Sequence, residues 1–209
     1  SIPVFYNDSA TIPDLSTLPA DTLKCNVPSV TLTSSSTTTG VTYDWGGGNT
    51  NPTLTVSAPG TYYITVTEPV NSCQMIDTLI VPTDTTSPNI AIDPHNDLDC
   101  NNASINLHAT TTTVGATFDW GGGNTTSVRN VTTAGTYTVT ATDGSNGCTA
   151  TASSTVIAIP PVSLTETHVN VACFGASTGS ADVTVAGGQA PFTYAWSNTA
   201  STEDLANVP

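Results

Sequence analysis

Two nearly identical stretches of this sequence decide its fold. The first is VTYDWGGGNT at residues 41–50, and the second is ATFDWGGGNT at residues 116–125. In each stretch, aromatic side chains two positions apart share one face of a strand, while Thr and Asp side chains face the other way. The glycines that follow supply the positive φ angles of a tight connection. The stretch therefore predicts a strand with one buried aromatic face that ends in a turn.

The separation in sequence between these two stretches recurs between other matching residues along most of the chain. The same step carries Cys25 to Cys100, Cys73 to Cys148 and one Gly-Thr-Tyr triplet to the next, and a divergent third copy ends before it reaches that triplet. Such periodicity predicts a tandem array of similar modules. The predicted divisions are the end of a preceding module or linker at residues 1–13, copies at 14–88 and 89–161, and a truncated third copy at 162–209.

Within a copy, short segments alternate between apolar and polar residues and are separated by turn residues. In the first copy these segments lie at residues 30–32, 54–56, 62–66 and 79–81, and good helix formers are scarce. Turns every 8–12 residues with one buried aromatic per copy predict an all-β fold of tandem immunoglobulin-like β-sandwich modules. Proline-rich linkers at residues 82–88 and 159–161 stiffen the junctions, which predicts an elongated rod.

The charge balance excludes several classes of partner. The 209 residues carry a net charge of −14, and Lys24 and Arg129 are the only Lys and Arg residues. Binding of nucleic acids or of anionic lipid surfaces depends on clusters of cations, so neither is predicted. No apolar run approaches the length that spans a bilayer, so no membrane insertion is predicted. Ser1 follows no initiator Met or signal peptide, which is typical of a mature or excised piece of a longer protein.

The cysteines are regularly spaced. Cys25 and Cys73 have the same separation in sequence as Cys100 and Cys148. The simplest interpretation is one disulfide within each complete copy, with Cys173 paired to a cysteine beyond Pro209. A disulfide closing such a loop stabilises the fold by roughly 4 kcal/mol. The alternative, a zinc site, requires cysteines two to four residues apart. Oxidised cysteines predict a location outside the cytosol.

The third copy resembles a known type of repeat. Its segments CFGASTGSADV at residues 173–183 and GGQAPFTYAW at residues 187–196 are similar to the SprB-type repeat of gliding-motility adhesins in Bacteroidota. The first two copies resemble the PKD-like and Ig-like repeats of the same giant surface proteins. After their Trp, however, they lack the Phe and Asp of the PKD motif Trp-x-Phe-Gly-Asp-Gly. The resemblance implies type IX secretion, an extracellular location at the outer membrane, and a role in adhesion or surface filaments.

The same resemblance implies partners and modifications. The expected partners are other repeats of the polypeptide, lateral copies in a filament, and glycans or cell surfaces. Bacteria of this group attach O-glycans to Asp-(Ser/Thr) triplets that end in a small or aliphatic residue. The candidate sites are Ser9, Thr22, Thr78 and Thr85.

One acidic segment is a candidate for metal binding. The run from Asp97 to Asn102 begins like a calcium loop, but it lacks the glycine and the bidentate glutamate of an EF-hand. Two interpretations stay open: a looser calcium site that uses Asp93, Asp97 or Asp99, and a solvated acidic linker. No other cofactor is predicted.

A formal catalytic motif, GASTG at residues 175–179, matches the nucleophile elbow of hydrolases. That motif requires a strand, a sharp turn and a helix, with a histidine later in the chain, and no histidine follows His168. We therefore predict a turn there and no enzyme. The predicted function is a structural stalk segment of a surface adhesin or filament. The alternatives are a glycan-binding or surface-binding module and an accessory region of a large secreted hydrolase.

Overall fold

The computed structural model describes residues 12–209, which form strands and turns with no helix. This arrangement confirms the predicted all-β fold class. Accordingly, no segment of residues 12–209 forms a helix long and apolar enough to cross a membrane.

The first copy is a sandwich of two three-stranded sheets. One sheet has the strand order β1-β3-β5, the other has the order β4-β6-β7, and β2 pairs in parallel with β8. The strands are β1 (Ser16–Thr17), β2 (Leu23–Lys24), β3 (Val30–Ser35), β4 (Thr42–Asp44), β5 (Thr53–Val56), β6 (Gly60–Thr67), β7 (Gln74–Val81) and β8 (Thr83–Asp84). Strands β3 to β6 alternate between the two sheets, so the connections cross between layers as they do in the immunoglobulin fold.

The core of the first copy lies between these sheets. Burial alternates along β3, with Val30, Leu32 and Ser34 pointing inward, as the two-residue period of a strand requires. Leu32 on β3 and Ile64 on β6 are both completely buried, and such burial contributes roughly 1.5–3 kcal/mol for each side chain. Immunoglobulin domains commonly place their intersheet disulfide on these two strands. Two aliphatic side chains occupy those positions here.

Two aromatic residues of the first copy form hydrogen bonds with nearby backbone carbonyl groups. Trp45 follows β4 and is 9% exposed, and its indole N–H donates a hydrogen bond of 3.0 Å to the carbonyl oxygen of Asn51. The Tyr62 hydroxyl donates a bond of 2.8 Å to the carbonyl oxygen of Ala58. A tyrosine bonded to the backbone a few residues upstream is the tyrosine corner of immunoglobulin-like sandwiches.

The second copy repeats this architecture. Its sheets have the orders β9-β10-β12 and β11-β13-β14. The strands are β9 (Ala91–Ile92), β10 (Ile105–Thr110), β11 (Thr117–Asp119), β12 (Val128–Val131), β13 (Gly135–Thr142) and β14 (Thr149–Val156). Trp120 is buried and donates to the carbonyl of Thr126 at 3.0 Å, and the Tyr137 hydroxyl donates to the carbonyl of Thr133 at 2.8 Å. These contacts are the counterparts of those made by Trp45 and Tyr62.

The third copy forms one sheet of three strands, β15 (Ser163–Val169), β16 (Gly179–Ala186) and β17 (Leu205–Val208), in that order. Trp196 is half-buried, and its indole donates to the carbonyl of Thr202 at 2.8 Å, again six residues further along the chain. The GASTG segment begins in a turn, as predicted, in which the N–H of Ala176 donates to the carbonyl of Cys173 at 3.1 Å. Ser177 within this segment is exposed.

The glycine triplets explain why the strands that lead to Trp45 and Trp120 end where they do. Gly46, Gly47 and Gly48 have φ angles of +81°, +60° and +86°, and the triplet at residues 121–123 has nearly the same values. Three successive positive φ angles are accessible only to glycine without strain. The carboxylate of Asp44 accepts the N–H of Gly46 at 2.7 Å, which closes the turn.

The contacts within the chain define two compact units. The first contains the residues up to Asn89 together with 111–117 and 141–150, and the second contains 90–110, 118–140 and 151–209. The division at Asn89 lies beside the predicted boundary between the first two copies. The prediction of a plain linker at residues 82–88 is wrong in one respect, because Thr83–Asp84 form β8. Most of the predicted leading segment 1–13, including the candidate site Ser9, lies outside the described residues.

Candidate functional site: a disulfide-linked junction

Among residues 12–209 one disulfide is present, and it joins Cys25 to Cys148. Their Cα atoms are 5.0 Å apart, within the range that a disulfide requires, and their sequence separation is 123 residues. Both cysteines belong to the first compact unit. Cys73, Cys100 and Cys173 are free thiols.

The predicted disulfide between Cys25 and Cys73 is therefore wrong, and strand β7 shows why. Cys73 immediately precedes β7, whereas Pro82 immediately follows it, and the carbonyl of Pro82 accepts the N–H of Leu23 at 2.9 Å. Eight strand residues separate these two ends by about 26 Å. Cys25 lies two residues beyond Leu23, which is too few to close that distance.

The predicted disulfide between Cys100 and Cys148 is wrong for the same reason. Cys148 immediately precedes the eight-residue strand β14, and Leu98 bonds to the carbonyl of Ile157 just beyond its far end, at 3.0 Å. Cys100 therefore lies at the opposite end of β14 from Cys148. The two cysteine pairs are equally spaced because they occupy equivalent positions in the two copies, and not because the cysteines of a pair are bonded to each other.

Cys25 lies in a short turn at residues 24–27, which we name the opening turn. Strand β2 leads into it and is held by parallel pairing with β8. The backbones of Lys24 and Val27 exchange two hydrogen bonds, of 2.9 and 3.0 Å. These bonds close the turn and leave Cys25 exposed.

Cys148 ends a second turn at residues 143–148, which we name the closing turn. The N–H of Asp143 donates to the carbonyl of Cys148 at 2.9 Å, and the N–H of Gly147 donates to the carbonyl of Asp143 at 2.8 Å. Gly147 has φ +73°, and a Cβ atom there would lie 2.5 Å from Cβ of Asn26 in the opening turn. Glycine is favoured by this backbone conformation and required by the close approach of the two turns.

Asn146 holds the closing turn in place, and it is 1% exposed. Its side-chain oxygen accepts the N–H of Cys148 at 2.8 Å. Its side-chain nitrogen donates to the carboxylate of Asp84 at 3.0 Å and to the carbonyl of Thr86 at 2.9 Å. Its own carbonyl accepts the N–H of Asn26 at 3.2 Å. The oxygen and the nitrogen of this buried side-chain amide therefore both have hydrogen-bond partners.

Charge also contributes to the junction. Lys24, one of the two Lys and Arg residues in the chain, donates from Nζ to the carbonyl of Ser145 at 2.9 Å. The hydroxyl and N–H of Ser145 hold the pKa of Asp143 below its ordinary value, and the positive charge of Lys24 adds to this effect. The Asp143 carboxylate is therefore ionised at neutral pH and keeps its hydrogen bonds in the turn.

The three aspartates proposed for calcium each accept hydrogen bonds from the protein. Asp93 accepts from the hydroxyl of Thr110 at 3.3 Å, and Asp97 accepts from the N–H of Ile157 at 3.1 Å. The N–H groups of residues 102 and 101 bind the Asp99 carboxylate and lower its pKa. In residues 12–209, no group of three or more His, Cys, Asp and Glu side chains is arranged to hold a metal ion. Calcium binding stays a prediction.

The candidate glycosylation sites within the described residues differ in accessibility. Thr78 and Thr85 are exposed, whereas Thr22 is half-buried. The carboxylate of Asp77, which precedes Thr78, accepts a hydrogen bond of 2.6 Å from the Thr17 hydroxyl, and this bond contributes most to the lowered pKa of Asp77. Modification of these residues stays a prediction.

The third copy carries an apolar groove of about 590 Å³ along one face of its sheet. Its lining includes Leu164, Phe192, Tyr194 and Trp196, with the carboxylate-bearing Glu166 among them. Partial desolvation and a hydrogen bond with Glu203 raise the pKa of Tyr194. The Tyr-x-Trp spacing of the lining is the same as in the first copy, where the equivalent residues pack against or within the core.

The alternating strands, the buried Trp and the tyrosine corner define the first two copies as immunoglobulin-like β-sandwich modules. Residues 165–201 match the family model of the SprB repeat. Residues 165–201 of the third copy are therefore a SprB-type repeat, as the sequence predicted. No curated protein matches the sequence.

Several solved structures are similar to the chain at low identity. Three N-terminal domains of the highly immunogenic outer capsid protein of bacteriophage RB49 share 16% identity, cover 85% of this chain and 68% of their own length, and give a TM-score of 0.37. Murine CEACAM1b shares 13% identity over 70% of this chain and all of its own, with a TM-score of 0.31. Domains 4–9 of the surface layer protein SbsC share 14% identity over 94% of this chain but only 38% of theirs, with a TM-score of 0.31.

Sequence reasoning missed Asn146, Asp84 and Lys24 as junction residues. One signal was available for the disulfide itself. The separation of Cys25 and Cys148 is one copy offset plus the spacing within a copy, so pairing between copies is as regular as pairing within them. Lys24 also stands out, because a cation directly before a cysteine is unusual in so acidic a chain.

Proposed function

We propose that this chain is a tension-bearing stalk segment of an extracellular surface protein, and that it has no catalytic role. The Cys25–Cys148 disulfide is the observation that carries the proposal. It is supported by the SprB-type repeat of the third copy, whose resemblance to gliding-motility adhesins is consistent with an extracellular surface protein. Elongated adhesins and filaments of a cell surface require modules that stay joined under tension.

The position of the disulfide determines how tension passes along the chain. Force applied at the two ends enters at Cys25 and leaves at Cys148 through one covalent bond. Most core residues of the first two copies lie in the loop between these cysteines, with Leu32, Ile64 and Trp120 among them, whereas Leu23 and Val156 lie outside it. The segment between these cysteines therefore bears no load while the disulfide is intact, and its unfolding does not lengthen the stalk.

Single-molecule force spectroscopy on the whole chain tests this function. The loop of 123 residues corresponds to roughly 400–440 Å of extended chain. We expect the oxidised chain, pulled from its ends, to show no extension from this loop at forces that unfold β-sandwiches. After reduction, the same chain is expected to release that length in one or more steps.

A matched control is Cys73→Ser, which removes a free thiol and should leave both extension curves unchanged. The variant Cys148→Ser should behave as the reduced wild type does, without reductant. Release of the full length by the oxidised chain would refute the stalk function, and so would identical curves before and after reduction.

The groove of the third copy favours a second candidate function, glycan binding. Aromatic rings beside a carboxylate, as at Phe192, Tyr194 and Glu166, are a common way to hold a sugar ring. A glycan array probed with the whole chain and with Tyr194→Ala tests this. Binding that the variant loses supports the candidate, whereas equal signals from both proteins, or none from either, eliminate it.

A further inference from the structure

The free thiols Cys73 and Cys100 occupy the same two kinds of position as the bonded pair. We call Cys25 and Cys100 opening cysteines, because each follows the short strand or bridge near the start of its copy. Cys73 and Cys148 are closing cysteines, because each immediately precedes the last long strand of its copy. The observed disulfide joins the opening cysteine of one copy to the closing cysteine of the next.

The turn that presents Cys73 has the same hydrogen bonds as the closing turn of Cys148. The N–H of Glu68 donates to the carbonyl of Cys73 at 2.9 Å, and the N–H of Ser72 donates to the carbonyl of Glu68 at 2.8 Å. The side chain of Asn71 accepts the N–H of Cys73 at 2.8 Å, as Asn146 does for Cys148. Ser72 even has the positive φ, +60°, of its counterpart Gly147.

The segment that presents Cys100 likewise matches that of Cys25. Leu98 forms a parallel bridge with Ala158, as Leu23 does with Thr83 at the equivalent positions of the first copy. The N–H of Asp99 donates to the carbonyl of Asn102 at 3.1 Å, as Lys24 donates to Val27. Cys100 is exposed, as Cys25 is.

We propose that Cys73 and Cys100 are each one half of a further disulfide of the Cys25–Cys148 kind, formed with a cysteine of an adjacent copy in the same polypeptide. Cys100 would pair with the closing cysteine of the copy that follows its own. Cys73 would pair with the opening cysteine of the copy that precedes its own. The independent observation behind this proposal is the bond itself, which equivalent residues already form. The inference rests on the proposed function as a repeat stalk.

Each further disulfide forms when two thiols lose two protons and two electrons. The acceptor is the oxidised disulfide of an extracytoplasmic thiol–disulfide oxidoreductase. The thiolate of one cysteine attacks that disulfide and forms a mixed disulfide, and the thiolate of the second cysteine then displaces the sulfur of the enzyme. The products are the disulfide of the stalk and the dithiol form of the oxidoreductase.

The consequence is a series of overlapping covalent loops. Cys100 lies inside the loop that the Cys25–Cys148 disulfide closes, so the next disulfide would begin inside the first loop and end beyond it. Tension would then have a covalent path that bypasses all but the last strand of a given copy. Unfolding of the bypassed strands would not extend a stalk built in this way.

Disulfide mapping of the native polypeptide tests the proposal. The polypeptide is isolated together with the copies that adjoin this segment, alkylated with iodoacetamide without reduction, digested and analysed by mass spectrometry. We expect Cys100 to be linked to a later cysteine, and Cys73 to an earlier one, each at about the separation of 123 residues that the observed bond has. Alkylated Cys73 or Cys100, or a link from either to a cysteine of its own copy, overturns the proposal.

The 209-residue chain alone provides a second measurement, which also separates this inference from the proposed function. Its three free thiols, those of Cys73, Cys100 and Cys173, should be alkylated without reductant. Cys148→Ser should expose Cys25 as a fourth thiol, whereas the matched variant Cys73→Ser should leave two and keep Cys25 protected. Exposure of Cys25 by Cys73→Ser overturns the pairing that both proposals use. A native Cys25–Cys148 link beside free Cys73 and Cys100 overturns only the further inference.

Discussion

Replacing Asn146 by alanine should loosen the closing turn. The side chain is buried and takes part in three hydrogen bonds, to the N–H of Cys148, the carboxylate of Asp84 and the carbonyl of Thr86. Alanine removes all three and leaves the N–H of Cys148 without its partner in a residue that is 1% exposed.

The magnitude follows from the cost of leaving buried groups unpaired. A hydrogen bond contributes about 0.5–1.5 kcal/mol net, and an orphaned buried donor costs about 1–3 kcal/mol. Loss of the Asn146 contacts should therefore lower the free energy of local opening by about 3 kcal/mol. A change of that size corresponds to roughly a 150-fold increase in the population of the open state, because about 1.4 kcal/mol corresponds to a factor of ten.

Hydrogen exchange measured by mass spectrometry on peptides covering residues 143–149 reports this population directly. We expect the amide of Cys148 to exchange roughly 150 times faster in Asn146→Ala under oxidising conditions. The matched control Asn71→Ala should accelerate the amide of Cys73 and leave that of Cys148 unchanged. Less than a threefold change at Cys148 in Asn146→Ala would show that the disulfide alone holds the turn.

Three further predictions concern other parts of the chain. The N–H of Thr37 and neighbouring hydroxyls hold the pKa of Asp14 well below its ordinary value. The hydrogen bonds of its carboxylate therefore stabilise the fold above about pH 4 and are lost as the pH falls through the lowered pKa. Thermal melts of Asp14→Asn should lack this acid dependence, because an uncharged Asn89 makes the equivalent bonds in the second copy. In urea titrations, Gly147→Ala should destabilise the chain by about 2 kcal/mol or more, because residue 147 has a positive φ and lies against the opening turn. Ser72→Gly should stabilise the chain by about 1 kcal/mol, because it removes a side chain from a backbone with positive φ. Opposite signs would contradict the strain argument. Native protein should show hexose-sized mass increments on peptides that contain Thr78 or Thr85, and an unmodified intact mass would exclude glycosylation.

The sequence predicts the fold well because the repeated signals are local. Tyr43 and Trp45 lie two residues apart, and the glycines that follow accept only one kind of turn, so the face that is buried and the end of the strand are both determined within one short stretch. Strand β8 could not be predicted in this way. Thr83 and Asp84 carry no apolar alternation, and their pairing with β2 depends on a contact with Leu23 and Lys24, which lie at the other end of the copy in sequence.

The disulfide shows the complementary limit of a repeat. A periodic sequence identifies which cysteines are equivalent, but every pairing that respects the period fits it equally well, so spacing alone cannot distinguish a bond within a copy from a bond between neighbouring copies. What distinguishes them is the length of the last strand, since β7 and β14 place the two cysteines of one copy at opposite ends of an eight-residue strand. A sandwich whose core positions on β3 and β6 are Leu32 and Ile64 needs no disulfide between its sheets. Cys25 and Cys148 instead lie where the opening turn of one copy meets the closing turn of the next, and there the disulfide joins two copies covalently, which apolar packing within one sandwich cannot do.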